Sequence, residues 1–346
     1  MRNRTIVSVL AVLALLTSIP ASAGAVVTID PVKTTDKTEY LPAASITMSH
    51  SYFAWSQNIR RGNEHVFLET DGGAAARIDD GNYGWVGGFA QGDARLIYQR
   101  LDLHRRGADS NLKFYDAELG TTTNAPGNIN TDTWQWSPTY DTDSGDMLWI
   151  LYGENRFATR KSPWRVRVWD EVSGVRRTLA EARNRCRCIF PGSVAFPFAS
   201  WTEGDPADAF VYDLQSDVRT RLALPGDRDE HVITVTSDGT AYVAQDGGAC
   251  GTHPKLYRVA PDGTPTLIAS LPAGTEAFRM STLDTGAGVD LYFDQMSCAT
   301  GSSDIYVLRD ADTVAGPVRA EHVGDGGMLP VTPGGRPLPP GAVPPR

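Results

Sequence analysis

Val166-Arg167-Val168-Trp169-Asp170 alternates apolar and polar residues, ends on an acid and runs into a Ser173-Gly174 turn. Alternation with a period of two marks a half-buried strand, and glycine supplies the positive φ that a tight hairpin turn requires. The same phrase returns at 26–30, 66–69, 112–116, 210–213, 256–260 and 305–309, closing on Asp30, Glu69, Asp116, Asp213, Ala260 and Arg309. Including Asp170, these closing residues stand 39, 47, 54, 43, 47 and 49 positions apart. A strand-built period of roughly 40–50 residues is the signature of radial repetition. The expected fold is therefore all-β, a single β-propeller with four antiparallel strands (A to D) per blade.

Working outward, each phrase is the third strand (C) of its repeat, with a second strand (B) before it at 52–55, 95–99, 147–152, 195–201, 241–245 and 291–295. A fourth strand (D) follows each turn, and several D strands stop at proline (Pro42, Pro126, Pro225, Pro272), which has no N–H to give a ladder. Seven phrases predict seven blades, the closing one shared between the N-terminal hairpin at 26–42 and C-terminal residues near 328–331. Six blades with an extra N-terminal hairpin is the alternative. The last D strand is expected at 318–323.

Residues 1–23 read as a signal peptide: Arg2 and Arg4, an apolar run from Ile6 to Leu16, then Ala21-Ser22-Ala23 as a cleavage site. The propeller domain is expected over 24–331, followed by a proline-rich tail at 332–346, and the protein is expected to be secreted and extracellular. The formal charge of −9 becomes about −11 once the leader is removed. An acidic protein without a membrane-length apolar run is not expected to bind nucleic acid or membranes. In an oxidising compartment, Cys186, Cys188, Cys250 and Cys298 point to disulfides rather than zinc, because their spacing with His253 is not that of a structural zinc site. Four cysteines allow three pairings; Cys250 and Cys298 occupy equivalent B–C loops of successive repeats, which favours Cys250–Cys298 and leaves Cys186–Cys188.

Trp136-Ser137-Pro138 and Thr236-Ser237-Asp238-Gly239 echo the W-S-P-D-G signature of TolB-like propellers, and with the C strands and their turns the chain resembles that family along its whole mature length. In size, leader and style it is also similar to secreted propellers of soil bacteria that act on a neutral metalloprotease and serve as transglutaminase substrates. That resemblance implies an extracellular protein partner, plausible as a metalloprotease, and transglutaminase as a second partner. Gln91, in an A–B loop, and Gln215, at a C–D turn tip, are the candidate reactive glutamines.

The leading functional expectation is a non-enzymatic binding protein without cofactor, docking through the face that carries the B–C loops, such as 101–109 and 153–163. The alternative is a glycan lyase or hydrolase at the channel mouth, with His231, Glu230 and Asp229 as acid–base groups and His50 next in line. A third is a carbohydrate-binding propeller using Tyr83, Trp85, Trp134 and Trp136, although core packing between adjacent blades is the stronger account of such aromatics. No G-x-S-x-G, H-E-x-x-H or P-loop motif occurs. Asp141, Asp143 and Asp146 resemble a calcium loop, but glycine stands fifth rather than sixth and no glutamate follows at the twelfth position.

Overall fold

The structure, a computed structural model, describes residues 29–33, 52–60, 63–70, 74–81, 83–89, 94–104, 107–131, 133–141, 149–155, 163–182, 189–226, 228–246, 253–277, 279–298 and 303–319. These form six antiparallel sheets arranged as the blades of one propeller. Blade 1 contributes Tyr52–Arg60, Asn63–Thr70 and Ala76–Arg77. Blade 2 runs Tyr83–Phe89, Arg95–His104, Gly107–Asp116 and Thr121–Asn124; blade 3 runs Trp134–Tyr140, Trp149–Asn155, Trp164–Asp170 and Arg176–Ala182. Blade 4 is Ile189–Ala195, Phe198–Gly204, Ala207–Asp213 and Val218–Arg221; blade 5 is Asp229–Val235, Ala241–Asp246, Lys255–Val259 and Pro265–Ser270. Blade 6 holds Met280–Asp284, Val289–Ser297 and Ser303–Leu308, with Thr275–Glu276 also pairing Val289–Ser297.

The blade count is six, and the seven-blade expectation is corrected. The alternating N-terminal phrase does not begin a blade of its own. Ile29–Lys33 instead runs antiparallel to Ser303–Leu308, Ile29 opposite Leu308, as the outermost strand of blade 6. The last D strand, expected at 318–323, also falls elsewhere: Val318–Arg319 lies parallel to Pro265–Ser270 on the edge of blade 5, and the expected closing residues 328–331 lie outside the described residues. Residues 1–28, with the expected leader, and 320–346, with the expected tail, lie outside the described residues.

The core consists of apolar clusters, most of them straddling two neighbouring blades. Trp136, Trp149 and Trp164 of blade 3 pack with Ile189, Val194 and Trp201 of blade 4. Val211 and Ala209 of blade 4 pack with Ile233, Val243 and Val259 of blade 5. The cluster that closes the ring joins Trp55 of blade 1 to Tyr292, Ile305 and Val307 of blade 6. Alternation places one face of each strand against one neighbour and the other face against the next, so burial on both sides holds the blades as a ring.

Two sequence features explain the local geometry. The C strands end on aspartate because its carboxylate caps the following turn: Asp116 Oδ1 accepts the N–H groups of Glu118 and Leu119, Asp170 Oδ1 that of Val172, and Asp213 Oδ1 those of Gln215 and Ser216. The A strands of blades 2 to 5 each carry a register break against their B strands. Glycines permit close approach there: a Cβ on Gly87 would collide with the Pro138 carbonyl oxygen of blade 3, and one on Gly192 would stand 2.5 Å from the Ile233 carbonyl oxygen of blade 5.

The expected 101–109 loop is corrected. Arg95–His104 and Gly107–Asp116 pair continuously to His104 opposite Gly107, and in blade 1 pairing likewise continues to Arg60 opposite Asn63. Blades 1 and 2 therefore raise long hairpins on the B–C face.

Candidate functional site

The residues singled out from the sequence for acid–base chemistry are distributed along the A strand of blade 5, and each is engaged with a different neighbour. Asp229 Oδ1 accepts the Ala207 N–H at 2.5 Å and Glu230 Oε2 the Ala209 N–H at 2.8 Å, both from the C strand of blade 4. His231 points the other way, its Nε2 2.6 Å from the Ala277 carbonyl oxygen ahead of blade 6, so that nitrogen carries the proton. Burial raises the Glu230 pKa, opposed by the Ala209 N–H. The three side chains stitch blade 5 to both neighbours and do not converge on one reacting position. His50 lies outside the described residues.

Charged groups from several blades do meet at the central channel. Arg279, just ahead of the first main strand of blade 6, donates from Nη2 to Ser137 Oγ of blade 3 at 2.9 Å. Its backbone N–H donates to Asp294 Oδ1 at 2.6 Å. Arg279 is half-buried; burial of its guanidinium lowers its pKa to about 10, against the raising influence of Asp294 and Glu64. It therefore remains a cation at neutral pH. Glu64 of blade 1 accepts from Trp85 Nε1 of blade 2, and burial lifts its pKa to about 8 despite that hydrogen bond and the nearby Arg279 charge.

Ser137 has φ +44°, a left-handed conformation that costs a non-glycine residue about 1–2 kcal/mol. Its N–H bonds Gln99 Oε1 of blade 2 at 3.3 Å, so groups from opposite sides hold it in place. A buried carboxyl that is protonated at neutral pH and, within its electrostatic reach, a guanidinium bonded to a strained serine could donate a proton and hold an anion. Sequence reading missed Glu64, Arg279 and Asp294. The only local signal was Trp136-Ser137-Pro138, noted for its fold pattern alone.

The aromatic candidates pack between blades. Trp85, Trp134 and Trp136 are buried; Trp85 and Trp134 share a cluster with Leu101, and Trp136 meets Trp164 and Phe190 edge-on. Asp141 is buried, and its Oδ1 accepts the Phe196 N–H of blade 4, whereas Asp143 and Asp146 lie outside the described residues. Gln215 is exposed on its turn, while Gln91 lies outside the described residues. Cys298, at the B–C connection of blade 6, is disulfide-bonded, and Cys186, Cys188 and Cys250 lie outside the described residues. His253 Nδ1 stands 3.3 Å from the Leu271 carbonyl oxygen.

Solved structures with this arrangement of blades include an oligogalacturonate lyase in complex with manganese, at 10% identity and TM-score 0.50, covering 81% of this chain and 96% of that one. A gluconolactonase from Xanthomonas campestris matches at 16% identity and TM-score 0.50, covering 80% of this chain and 94% of that one. The likeness is one of fold. TolB from Acinetobacter baumannii is also similar, at 10% identity and TM-score 0.47, covering 81% of this chain and 67% of that one. No protein-family model and no curated protein sequence matches the chain.

Proposed function

We propose that this chain is a secreted, non-enzymatic propeller that docks another extracellular protein on its B–C face. The observation that supports the reading is that Asp229, Glu230 and His231 serve as hydrogen-bonding struts between blades rather than converging on one reacting position. The extended hairpins of blades 1 and 2 add projecting surface to a rigid ring, the setting in which recognition usually sits. On the resemblance noted in the sequence, the partner is a neutral metalloprotease whose autolysis the propeller promotes, with Gln215 and Gln91 as glutamine donors for transglutaminase. A Cys250–Cys298 link between the B–C connections of blades 5 and 6 would brace the same face.

The test is calorimetric titration of a purified neutral metalloprotease. Replacing 156–162, between Trp149–Asn155 and Trp164–Asp170, by a Gly-Ser link should weaken binding by more than about 2 kcal/mol if it removes a hot spot. His231→Ala should stay within about 1 kcal/mol of the parent. Saturable, stoichiometric binding supports docking; absence of binding by the intact protein rejects the metalloprotease as partner. Labelling with a fluorescent amine and transglutaminase should mark Gln215, and a product carrying label on neither Gln215 nor Gln91 removes the second partner.

A second reading is favoured by the channel itself. Glu64 as proton donor and Arg279 as anion holder would suit chemistry on an acidic glycan. Multiple turnovers of an oligogalacturonide by purified protein, abolished in Glu64→Gln, would replace docking by this reading.

A further inference from the structure

Apolar clusters join blade 1 to 2, 2 to 3, 3 to 4, 4 to 5, 5 to 6 and 6 to 1, which fixes the order of the ring. Blades 3 and 6 stand three steps apart in either direction and therefore face each other across its axis. A direct hydrogen bond between them has to cross the central channel. Arg279 of blade 6 makes that bond, from Nη2 to Ser137 Oγ of blade 3 at 2.9 Å.

The two ends of this crossing are held differently. On blade 6 the backbone is clamped: the Arg279 N–H donates to Asp294 Oδ1 at 2.6 Å, and the Asp294 N–H donates to the Arg279 carbonyl oxygen at 3.2 Å. Movement is left to the side chain. On blade 3 the seat itself is fixed. The Ser137 N–H donates to Gln99 Oε1, the Gln99 amide donates to Ser110 Oγ at 2.8 Å, and Ser110 Oγ donates to the Gln135 carbonyl oxygen at 2.6 Å; all four residues are buried. This chain of bonds returns to the strand that carries Ser137 and holds its φ at +44°, a region that serine seldom adopts.

The bond at the tip joins a cation to a neutral hydroxyl. A carboxylate is a stronger acceptor for a guanidinium. Glu64 belongs to blade 1, the neighbour of blade 6, and is buried with its carboxyl on Trp85 Nε1. Burial raises its pKa to about 8, against the Trp85 bond and the charge of Arg279. His65, next in sequence, is turned to Asp79 at 2.9 Å. While Glu64 keeps its proton, Ser137 keeps the guanidinium. Once ionised, a buried carboxylate needs a cation beside it. Asp294 also acts on Arg279, but it grips the backbone and stays at the base of the side chain in either position.

We propose that Arg279 is a proton-controlled bolt across the central channel, seated in Ser137 while Glu64 is protonated and drawn to Glu64 when that carboxyl ionises. The change needs side-chain rotation alone, with the blades in place, and releases the crossing between blades 3 and 6. It operates whether or not the channel performs chemistry.

Thermal melting of the full chain reads the bolt through a double-mutant cycle of Arg279→Gln and Ser137→Ala. At pH 6 the loss in the double variant should fall short of the sum of the single losses by about 2 °C or more, and at pH 9 the losses should add. In a Glu64→Gln background, which keeps an acceptor for Trp85 but cannot ionise, the shortfall should persist at pH 9. The indole N–H resonance of Trp85 in the ¹⁵N-labelled parent should titrate near pH 8, and Arg279→Gln should move that midpoint up, because a charge that favours ionisation is gone. A shortfall of equal size at pH 6 and pH 9 overturns the proposal, as do additive losses at both. So do a shortfall that vanishes at pH 9 even with Glu64→Gln, and a Trp85 resonance that stays fixed between pH 6 and 10. Turnover of an oligogalacturonide, the mark of the second reading above, decides none of these outcomes.

Discussion

Glu64 is where one residue has the largest electrostatic consequence. Its folded pKa of about 8 lies above the ordinary 4.5, so between these values the folded protein retains a proton that the unfolded chain has released. Stability from this group is therefore full below about pH 4.5, declines as pH rises towards 8, and is level above that. Glu64→Gln keeps an oxygen for the Trp85 N–H and removes the titration. The expected outcome is that the variant's melting temperature, relative to the parent, rises between pH 5 and 8 and is flat on either side. A pH-independent difference in thermal scans would contradict this assignment. The glycines at the A-strand breaks act through space rather than charge: Gly192→Ala brings a Cβ against the Ile233 carbonyl, which is backbone, and against Ser200 Oγ, which the Ser193 backbone holds in place. A cost of about 2–3 kcal/mol is expected in urea unfolding, with no change at Gly127, around which nothing lies within 4 Å.

At the scale of the element, the strand Asp229–Val235 shows how a blade depends on its neighbours. Glu230→Ala leaves the Ala209 N–H buried without its acceptor and should cost about 1–3 kcal/mol by denaturant titration; Glu230→Gln, which retains an acceptor oxygen, should cost less. Equal losses for the two variants would show that this hydrogen bond is not what the carboxylate contributes. The C strands were legible because they obey local rules: alternation, then an aspartate capping a turn, as at Asp116, Asp170 and Asp213. The strand Ile29–Lys33 follows the same alternation, since an outer strand is also half-buried, so periodicity could not separate a closing strand from the third strand of a seventh blade. The 101–109 stretch reads as a loop because its charges and Gly107 hide a pairing carried entirely by the backbone. Glu64, Ser137, Arg279 and Asp294 meet only because a ring brings distant repeats together, and no spacing along the chain encodes that.

For the whole molecule, everything depends on how the ring is closed. Trp55 of blade 1 against Tyr292, Ile305 and Val307 closes it through side chains, and Ile29–Lys33 completes the outer edge of blade 6 through its backbone. Without that strand, Ser303–Leu308 would present unpaired N–H and C=O groups along an exposed edge, a template for pairing with another chain. Ile29 also sits in the cluster with Leu291 and Leu308, so removing it exposes apolar surface as well. Cleavage after Ala23, as expected from the sequence, would leave the strand intact. A protein beginning at residue 36 should therefore melt at lower temperature and scatter light on concentration, and Ile29→Ala alone should cost about 2 kcal/mol, the low end for a large-to-small change because the residue is near the edge. The two defects can be separated: a peptide spanning 26–35 added in trans should restore the melting temperature of the truncated protein, and the same peptide with proline at 30 and 32 should not, since proline cannot give the ladder its N–H groups. A truncated protein that remained monomeric with the parent's melting temperature would mean that the side-chain cluster around Trp55 is sufficient to close the ring.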